Sequence, residues 1–233
     1  VDGELQRLSP KRLQETVIDH LHGGIVTQNL GELKEAVEAL AWVRSASLRR
    51  VWPDRLDLTV VEHKPLCRWG EDGLVSDEGV VFRPPVTEFP EGLPTLAAVD
   101  ERAPLLVARF RAWSPRFAAR GLGIERMLLD ARGAWSLRTG AGFELALGKL
   151  EVEERAGRFL RAWPSLVAVG SPEQVDMRYS NGLSVRWNIS ESGAPEDARA
   201  QAAILGEPGT VAGGGRPVGS HPDRVSARIH DFL

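Results

Sequence analysis

The chain has 233 residues, of which 42% are hydrophobic and 26% are charged, and its formal net charge at pH 7 is -3. This composition indicates a globular protein that can bury a core in one or two domains. The slightly acidic balance, and the absence of any run of five or six like charges, argue against binding to DNA or RNA.

Two helical patterns open the chain, after a short strand that we predict to end at Val1–Gly3. The first helix begins at Ser9-Pro10, which supplies a capping serine and a proline at the first helical position, and ends before Gly23-Gly24. The second helix begins at Asn29, with Glu32 three residues later as a capping-box partner.

Two alternating runs follow, in RSASLRRVWPDRLDLTVVE. In the first run Ala46, Leu48 and Arg50 share one face, and LDLTVV alternates in the same way after the turn at Pro53-Asp54. The sequence therefore predicts two half-buried strands. Together with the two helices, they form a compact α+β unit that closes near Glu62.

From His63 the chain changes to short strands and turns. LVSDEGVVF predicts a hairpin with Gly79 in its turn, and a proline-rich connection leads to an amphipathic helix from Leu105 to Arg120. MLLD, AWSLRT and FELALG read as strands, and a helix from Glu151 to Trp163 follows them. The last two strands, VDMRY and LSVRWNI, are joined by Ser180-Asn181-Gly182, and an Asn-Gly pair is a strong hairpin signal.

After Ser192 the hydrophobic pattern ends. The stretch from Gly206 to Gly219 is rich in glycine and proline, so the sequence predicts a disordered tail with a weakly amphipathic end at VSARIHDFL. LSVRWNI is then the last strand of the folded region, and we expect it to be a sheet edge with open backbone groups. An edge that also carries an aromatic residue, Trp187, is suited to accept a strand from a partner.

The residues that are chemically able to catalyse a reaction or bind a metal do not form a recognisable catalytic pattern. His63 and Cys67 are four residues apart, but no second His or Cys pair lies nearby and Pro65 prevents a helix from aligning them, so packing is favoured over metal binding. GLGIER and TGAGFE contain GxG without the strand-turn-helix context of a dinucleotide site. The sequence has no GxSxG or HExxH motif either. We therefore predict no catalytic, metal or cofactor site, and a protein that is not an enzyme.

Three stretches in combination resemble the extracytoplasmic part of the FtsQ/DivIB bacterial cell-division proteins. They are AWVRSASLRRVWPDRLDLTVVEHKPLCRW, LVSDEGVVF and VDMRYSNGLSVRW, and the resemblance covers Val1 to about Ile189. It implies an α+β protein in which a small polypeptide-transport-associated (POTRA) domain, with two helices on a three-stranded sheet, occupies residues 1–63. A β-rich domain with flanking helices would occupy residues 64–190, and the disordered tail residues 191–233.

The resemblance also implies a function. It predicts a non-catalytic scaffold of the divisome that recruits other division proteins by strand addition at sheet edges, with FtsB, itself paired with FtsL, as partner. No apolar run here reaches the roughly 18 to 20 residues that cross a bilayer. The family has one membrane-spanning helix before this part, so the resemblance implies a single membrane span upstream of Val1, an extracytoplasmic location and recruitment to the division septum. The alternative is a POTRA-bearing component of a secretion or outer-membrane assembly machine, for which several tandem POTRA units are expected.

Two sets of residues fall on interaction positions by this resemblance. The partner-binding set lies in the last hairpin and comprises Tyr179, Asn181, Gly182, Leu183, Val185 and Trp187. The recruitment set lies on the first strand of the early hairpin and comprises Ala46, Leu48 and Arg50.

Overall fold

A computed structural model describes residues 5–20, 29–52, 55–179, 182–188 and 226–229. The chain divides into two compact units, Val1–Ala112 and Trp113–Leu233, each of which is described by itself.

The first unit begins with the predicted pair of helices and pair of strands. Their bounds are α1 Pro10–Asp19, α2 Leu30–Glu38, β1 Val43–Val51 and β2 Arg55–Glu62. The two strands are antiparallel, with Ala46 opposite Val60 and Leu48 opposite Leu58. The strand predicted to end at Val1–Gly3 lies outside the described residues.

Local chemistry explains where α2 begins. Asn29 caps the helix, since its side-chain oxygen accepts a hydrogen bond from the Gly31 amide at 3.0 Å, and its Nδ2 donates to Glu32 Oε1 at 2.9 Å. Glu32 therefore supports the cap through the Asn29 side chain, whereas in the predicted capping box it would bind the backbone amide of the cap residue. Ser9 precedes α1 without making a side-chain cap hydrogen bond.

The remainder of the first unit is a small mixed sheet. Its strands are β3 Pro65–Trp69, β4 Gly73–Ser76, β5 Val81–Phe82 and β6 Thr95–Ala97, and their order is β6-β3-β4-β5. The predicted hairpin LVSDEGVVF is confirmed as β4 and β5, and Gly79 adopts the positive φ of 83° that its turn requires. Helix α3, Ala103–Ala118, contains the boundary between the two units.

The second unit is a sheet with one long helix. Its elements are β7 Ile124–Leu129, β8 Trp135–Thr139, β9 Glu144–Gly148, α4 Val152–Val169, β10 Pro172–Asp176, β11 Leu183–Trp187 and β12 Ser226–Ile229. The strand order is β12-β11-β10-β9-β8-β7. Strands β9 and β10 are parallel because α4 carries the chain back across the sheet between them, and the other pairs are antiparallel. Among the described residues of this unit, four large aromatic side chains are fully buried: Trp113, Phe117, Phe143 and Phe159.

Helix α4 is longer than the sequence predicted. It continues past Pro164 to Val169, whereas the pattern indicated an end at Trp163. A proline costs a helix a hydrogen bond and some strain, but it does not necessarily end it. Here Leu166, which lies beyond the proline, is buried, and this burial favours continuation of the helix.

Strand β12 corrects one expectation about the sheet. The sequence predicted that the last hairpin ends the sheet and leaves one side of β11 open, but β12 pairs with β11 on the side opposite β10. The sequence did not predict this pairing because backbone hydrogen bonds form it. A four-residue strand can make these bonds without a clear hydrophobic alternation in its sequence.

Candidate functional site

The last hairpin holds the predicted partner-binding residues. The predicted hairpin is formed by the antiparallel strands β10 and β11, with Val175 opposite Val185 and Asp176 opposite Ser184. Strand β10 ends at Asp176, however, so the last three residues of the predicted strand VDMRY lie beyond it. Of the partner-binding set, Asn181 lies outside the described residues, while the other five are placed at the turn end of the hairpin or along β11.

The two aromatic residues of this set differ in their surroundings. The Tyr179 side chain is 44% exposed, just after β10. Trp187, at the end of β11, is half-buried, and its ring lies against Gly170 at the end of α4, where an added Cβ atom would be 3.5 Å from Trp187 Cε3. Tyr179 is therefore directly available to a partner, whereas Trp187 contributes both to packing and to the surface.

The described residues of the partner-binding set between Tyr179 and Trp187 are half-buried or buried. Val185 is fully buried, and Gly182 and Leu183 are half-buried. Because side chains alternate along a strand, Leu183, Val185 and Trp187 share the face that contains the buried Val185. The contribution of Val185 to binding would thus come from its backbone, with its side chain in the core.

Two buried arginines of α4 bind backbone carbonyl oxygens, Arg158 at the turn end of the hairpin and Arg155 in the neighbouring strand β9, and the sequence pattern predicted no role for them. Arg158 Nη2 donates to the carbonyl oxygens of Tyr179, at 2.9 Å, and Met177, at 3.5 Å. Arg155 Nη1 donates to the Leu147 carbonyl oxygen at 2.8 Å. A signal was available, because Arg155 occurs three residues after Val152 and four before Phe159, within the apolar stripe of the helix.

One ion pair joins the two strands of the hairpin, and a second lies at the end of β10. Arg186 of β11 contacts Glu173 of β10 through two hydrogen bonds, of 2.8 and 3.3 Å. Arg178 contacts Asp176, with Nη2 2.6 Å from Oδ2. Burial alone would raise the pKa of the Asp176 carboxyl, but the hydrogen bonds from Arg178, together with the positive charges of Arg178 and Arg155, outweigh burial and lower it.

On the side opposite β10, β11 pairs with β12. Leu183 lies opposite Ile229, Val185 opposite Ala227 and Arg186 opposite Ser226. The register includes neither Tyr179 nor Trp187, so the described pairing leaves both aromatic residues outside the β11–β12 ladder.

The predicted recruitment residues lie on β1 in the first unit. Ala46 is buried, Leu48 is half-buried against the core, and only Arg50 is exposed. The Ala46 amide donates to Glu38 Oε1 at 2.9 Å, so α2 satisfies that backbone group of β1. The three residues therefore do not form an exposed side-chain patch, and Arg50 is the member with a side chain at the surface.

His63 and Cys67 show packing contacts. The His63 ring stacks on Phe82, with centroids 4.6 Å apart. Cys67 is fully buried, and desolvation raises the pKa of its thiol to about 12. Across the part of the chain that the structure describes, no group of three or more His, Cys, Asp and Glu residues could hold a metal ion.

Within residues 5–20, 29–52, 55–179, 182–188 and 226–229, no helix is both long enough and apolar enough to cross a bilayer.

Family models match almost all of the folded region. The model for the FtsQ-type POTRA domain matches residues 1–63, and the model for the C-terminal part of cell division protein FtsQ/DivIB matches residues 67–178. The POTRA match is to the FtsQ type, which favours the cell-division interpretation over a secretion component.

Curated relatives agree with these models. A cell division protein FtsQ of Allochromatium vinosum is 43% identical over 228 residues, which cover 98% of this chain and 83% of the relative. Proteins of the same name from Xanthomonas campestris pv. campestris and Coxiella burnetii are 36% and 32% identical, over 83% and 75% of this chain and 70% and 73% of the relatives. With two domain models in the expected order and a 43% identical relative that matches 98% of its length, the chain belongs to the FtsQ/DivIB family of bacterial cell division proteins.

Proposed function

We propose that the protein is a non-catalytic scaffold of the divisome that binds FtsB, itself paired with FtsL, by strand addition along β11. The backbone of Leu183–Trp187 would pair with the incoming strand, and Tyr179 and Trp187 would supply aromatic contacts. Backbone pairing gives affinity in this mode of recognition, while side chains at alternate positions give selectivity.

The observation that carries this proposal is the placement of two aromatic residues in one hairpin, Tyr179 before its turn and Trp187 at the end of β11. Tyr179 is 44% exposed at the turn end of the hairpin, where the buried Arg158 binds its carbonyl oxygen, and Trp187 lies half-buried at the far end of β11. Tyrosine and tryptophan are the residue types that most often dominate interface energy, and a rigid support lowers the entropic cost of binding.

The test is to measure FtsB–FtsL binding and melting temperature on the same samples of Tyr179→Ala and Trp187→Ala. Truncating an aromatic anchor commonly costs about 2 kcal/mol or more, so we expect roughly a thirtyfold weaker Kd. Tyr179→Ala should leave the melting temperature nearly unchanged, because its side chain is exposed. Trp187→Ala should lower it modestly, since its ring packs on Gly170.

Trp52→Ala is the matched control. The Trp52 side chain is 75% exposed and lies in the first unit, so its removal should affect neither binding nor melting. Intact binding by a folded double variant of Tyr179 and Trp187 would refute the proposed binding site.

We also propose that Arg50, with the backbone of Ala46 and Leu48, contributes to recruitment of the protein to the division site. Arg50→Glu should disperse septal localisation without lowering the melting temperature, since the side chain is exposed and a reversed charge would repel an acidic partner group. Arg49→Glu is the matched control, because Arg49 is also exposed but lies on the other face of β1. Normal localisation of the Arg50 variant would exclude this role.

The proposed location is the extracytoplasmic side of the bacterial plasma membrane (the inner membrane in a two-membrane cell), where a single-pass anchor N-terminal to this chain would hold it at the septum. Family membership supports this placement. Fractionation of the full-length gene product tests it, since recovery in the soluble cytoplasmic fraction would contradict it.

A further inference from the structure

A segment near the end of this chain pairs with β11, the strand to which we propose that the partner binds. Strand β12, Ser226–Ile229, runs antiparallel to β11 and is in register with Leu183–Arg186. The N–H and C=O groups on that side of β11 can pair with only one neighbouring strand at a time.

We propose that β12 is an intramolecular competitor, which occupies the edge of β11 until a partner strand displaces it. This inference rests on the proposed binding of FtsB–FtsL at β11. It adds that the full chain binds its partner less tightly than a chain in which β12 does not pair with β11. The reason is that β12 occupies the edge of β11 in part of the molecules.

The dimensions of β12 make displacement feasible. It has four residues, against nine in β1 and five in β11, so it offers few backbone pairs to be exchanged. Its sequence, Ser-Ala-Arg-Ile, also contains two small side chains. A partner strand with larger apolar side chains at alternate positions would bury more surface on the same ladder, and this difference favours exchange.

The register of β12 leaves a starting point for that exchange. Among the described pairs it ends with Arg186 opposite Ser226, so Trp187 lies beyond the described ladder at one end, and Tyr179 precedes it at the other. An incoming antiparallel strand can therefore contact an aromatic residue first and then replace β12 pair by pair. The occupant that fits best is an extended segment of at least five residues, long enough to pair from Leu183 to Trp187.

The size of the effect follows from the fraction of closed molecules. A tail joined covalently to its site acts at a high effective concentration, even though four residues bind weakly. If the edge is closed in about 90% of molecules, the apparent Kd for the partner is raised about tenfold. Opening the edge should reverse this loss.

The experiment opens the edge in the full chain with the double substitution Ala227→Pro and Arg228→Pro. Successive residues of a strand direct their N–H groups to opposite sides, so one of the two prolines removes a donor to β11 wherever the ladder is made. Ala202→Pro with Ala203→Pro is the matched control, since it places the same residues outside β12. Hydrogen exchange of the β11 amides and Kd for a soluble extracytoplasmic FtsB–FtsL complex are measured for all three proteins.

We expect faster exchange at those amides of Leu183–Arg186 that face β12, unchanged exchange at those that face β10, and an approximately tenfold lower Kd in the 227/228 variant, with no change in the control. A synthetic peptide of residues 221–233, added in trans, should compete with FtsB–FtsL for the opened variant, and a scrambled peptide should not.

Each contrary result overturns a different statement. Unchanged exchange in the 227/228 variant would mean that β12 is not paired with β11 in solution, and it would overturn the inference whatever the Kd. Faster exchange with equal or weaker binding would overturn the competition, since β12 would then be irrelevant to the site or part of it. If the parent chain and both variants all fail to bind FtsB–FtsL, the proposed function fails and the competition with it.

Discussion

At the scale of single residues, Asp176 shows how the hairpin depends on charge. Its side chain is only 16% exposed, and Arg178 contacts it with Nε as well as Nη2 while the Arg178 amide donates to Oδ1 at 2.9 Å. These contacts hold the pKa of Asp176 below its usual value against the opposing effect of burial. The ionised carboxylate therefore stabilises the folded hairpin.

We expect Asp176→Asn to lower the melting temperature at pH 7 and to have a smaller effect in acid. A carboxyl whose pKa is lower in the folded state contributes stability above its unfolded pKa of about 3.9, and this contribution is lost as the pH falls through the folded-state pKa. Thermal melts of both proteins between pH 7 and pH 3 measure the difference. In an Arg178→Met background the asparagine substitution should cost less at pH 7, because the pair is already broken. An equal difference in melting temperature at both pH values would contradict this assignment.

At the scale of secondary-structure elements, α4 determines the position of the candidate site. It connects the parallel strands β9 and β10, and its buried Arg155 and Arg158 bind carbonyl oxygens of Leu147 and Tyr179. Buried arginine is costly to desolvate, and the hydrogen bonds to these carbonyl oxygens offset part of that cost.

Arg158→Met should loosen the turn end of the hairpin while keeping the volume of the side chain. The Tyr179 carbonyl oxygen loses its charged donor, and an unsatisfied partner of this kind costs about 1 to 3 kcal/mol of unfolding free energy. Hydrogen exchange should accelerate most between Met177 and Leu183. Arg161→Met, an exposed position on the same helix, is the control and should have little effect. Uniform acceleration throughout the second unit would show that Arg158 has no local positioning role.

At the scale of the whole molecule, the POTRA region and the start of the β-rich region share one core within the first unit. Trp42 lies in edge contact with Phe82, at 5.3 Å between centroids, and its Nε1 donates to Glu88 at 2.6 Å. Leu74 and Phe82 belong to the same buried cluster as Leu13 and Val37. The domain boundary between residues 63 and 64 remains a prediction, and the buried cluster contains residues from both sides of it.

Phe82→Ala should therefore destabilise β1 and β2, although Phe82 lies outside the residues predicted to form the POTRA domain. Phe82 is 6% exposed, and removal of a buried phenylalanine ring costs about 3 to 5 kcal/mol. Denaturant unfolding gives the free energy, and hydrogen exchange of the β1 and β2 amides shows whether the loss reaches the hairpin. Val86→Ala, where the side chain is 56% exposed, should change neither quantity. Unchanged protection of β1 and β2 in the Phe82 variant would mean that the two regions unfold independently.

Local patterns in the sequence were sufficient for most of the elements and for the family. The alternation around Ala46 and Leu58, the cap at Asn29 and the turn at Gly79 act over a few residues, so their structural consequences can be derived without knowledge of distant contacts. The motifs that resemble FtsQ/DivIB are local as well, and family comparison confirmed them. The assignment of individual interaction residues stays a prediction, because it came from resemblance alone.

Tertiary structure decided the features that depend on residues distant in sequence. The roles of the buried Arg155 and Arg158 depend on the carbonyl oxygens of Leu147 and Tyr179, which only the fold brings next to α4. Helix α4 continues past Pro164 because burial of Leu166 favours it. The occupied edge of β11 could not be inferred from SARI, since backbone hydrogen bonds carry almost no sequence signal and their formation depends on which segments the fold brings side by side.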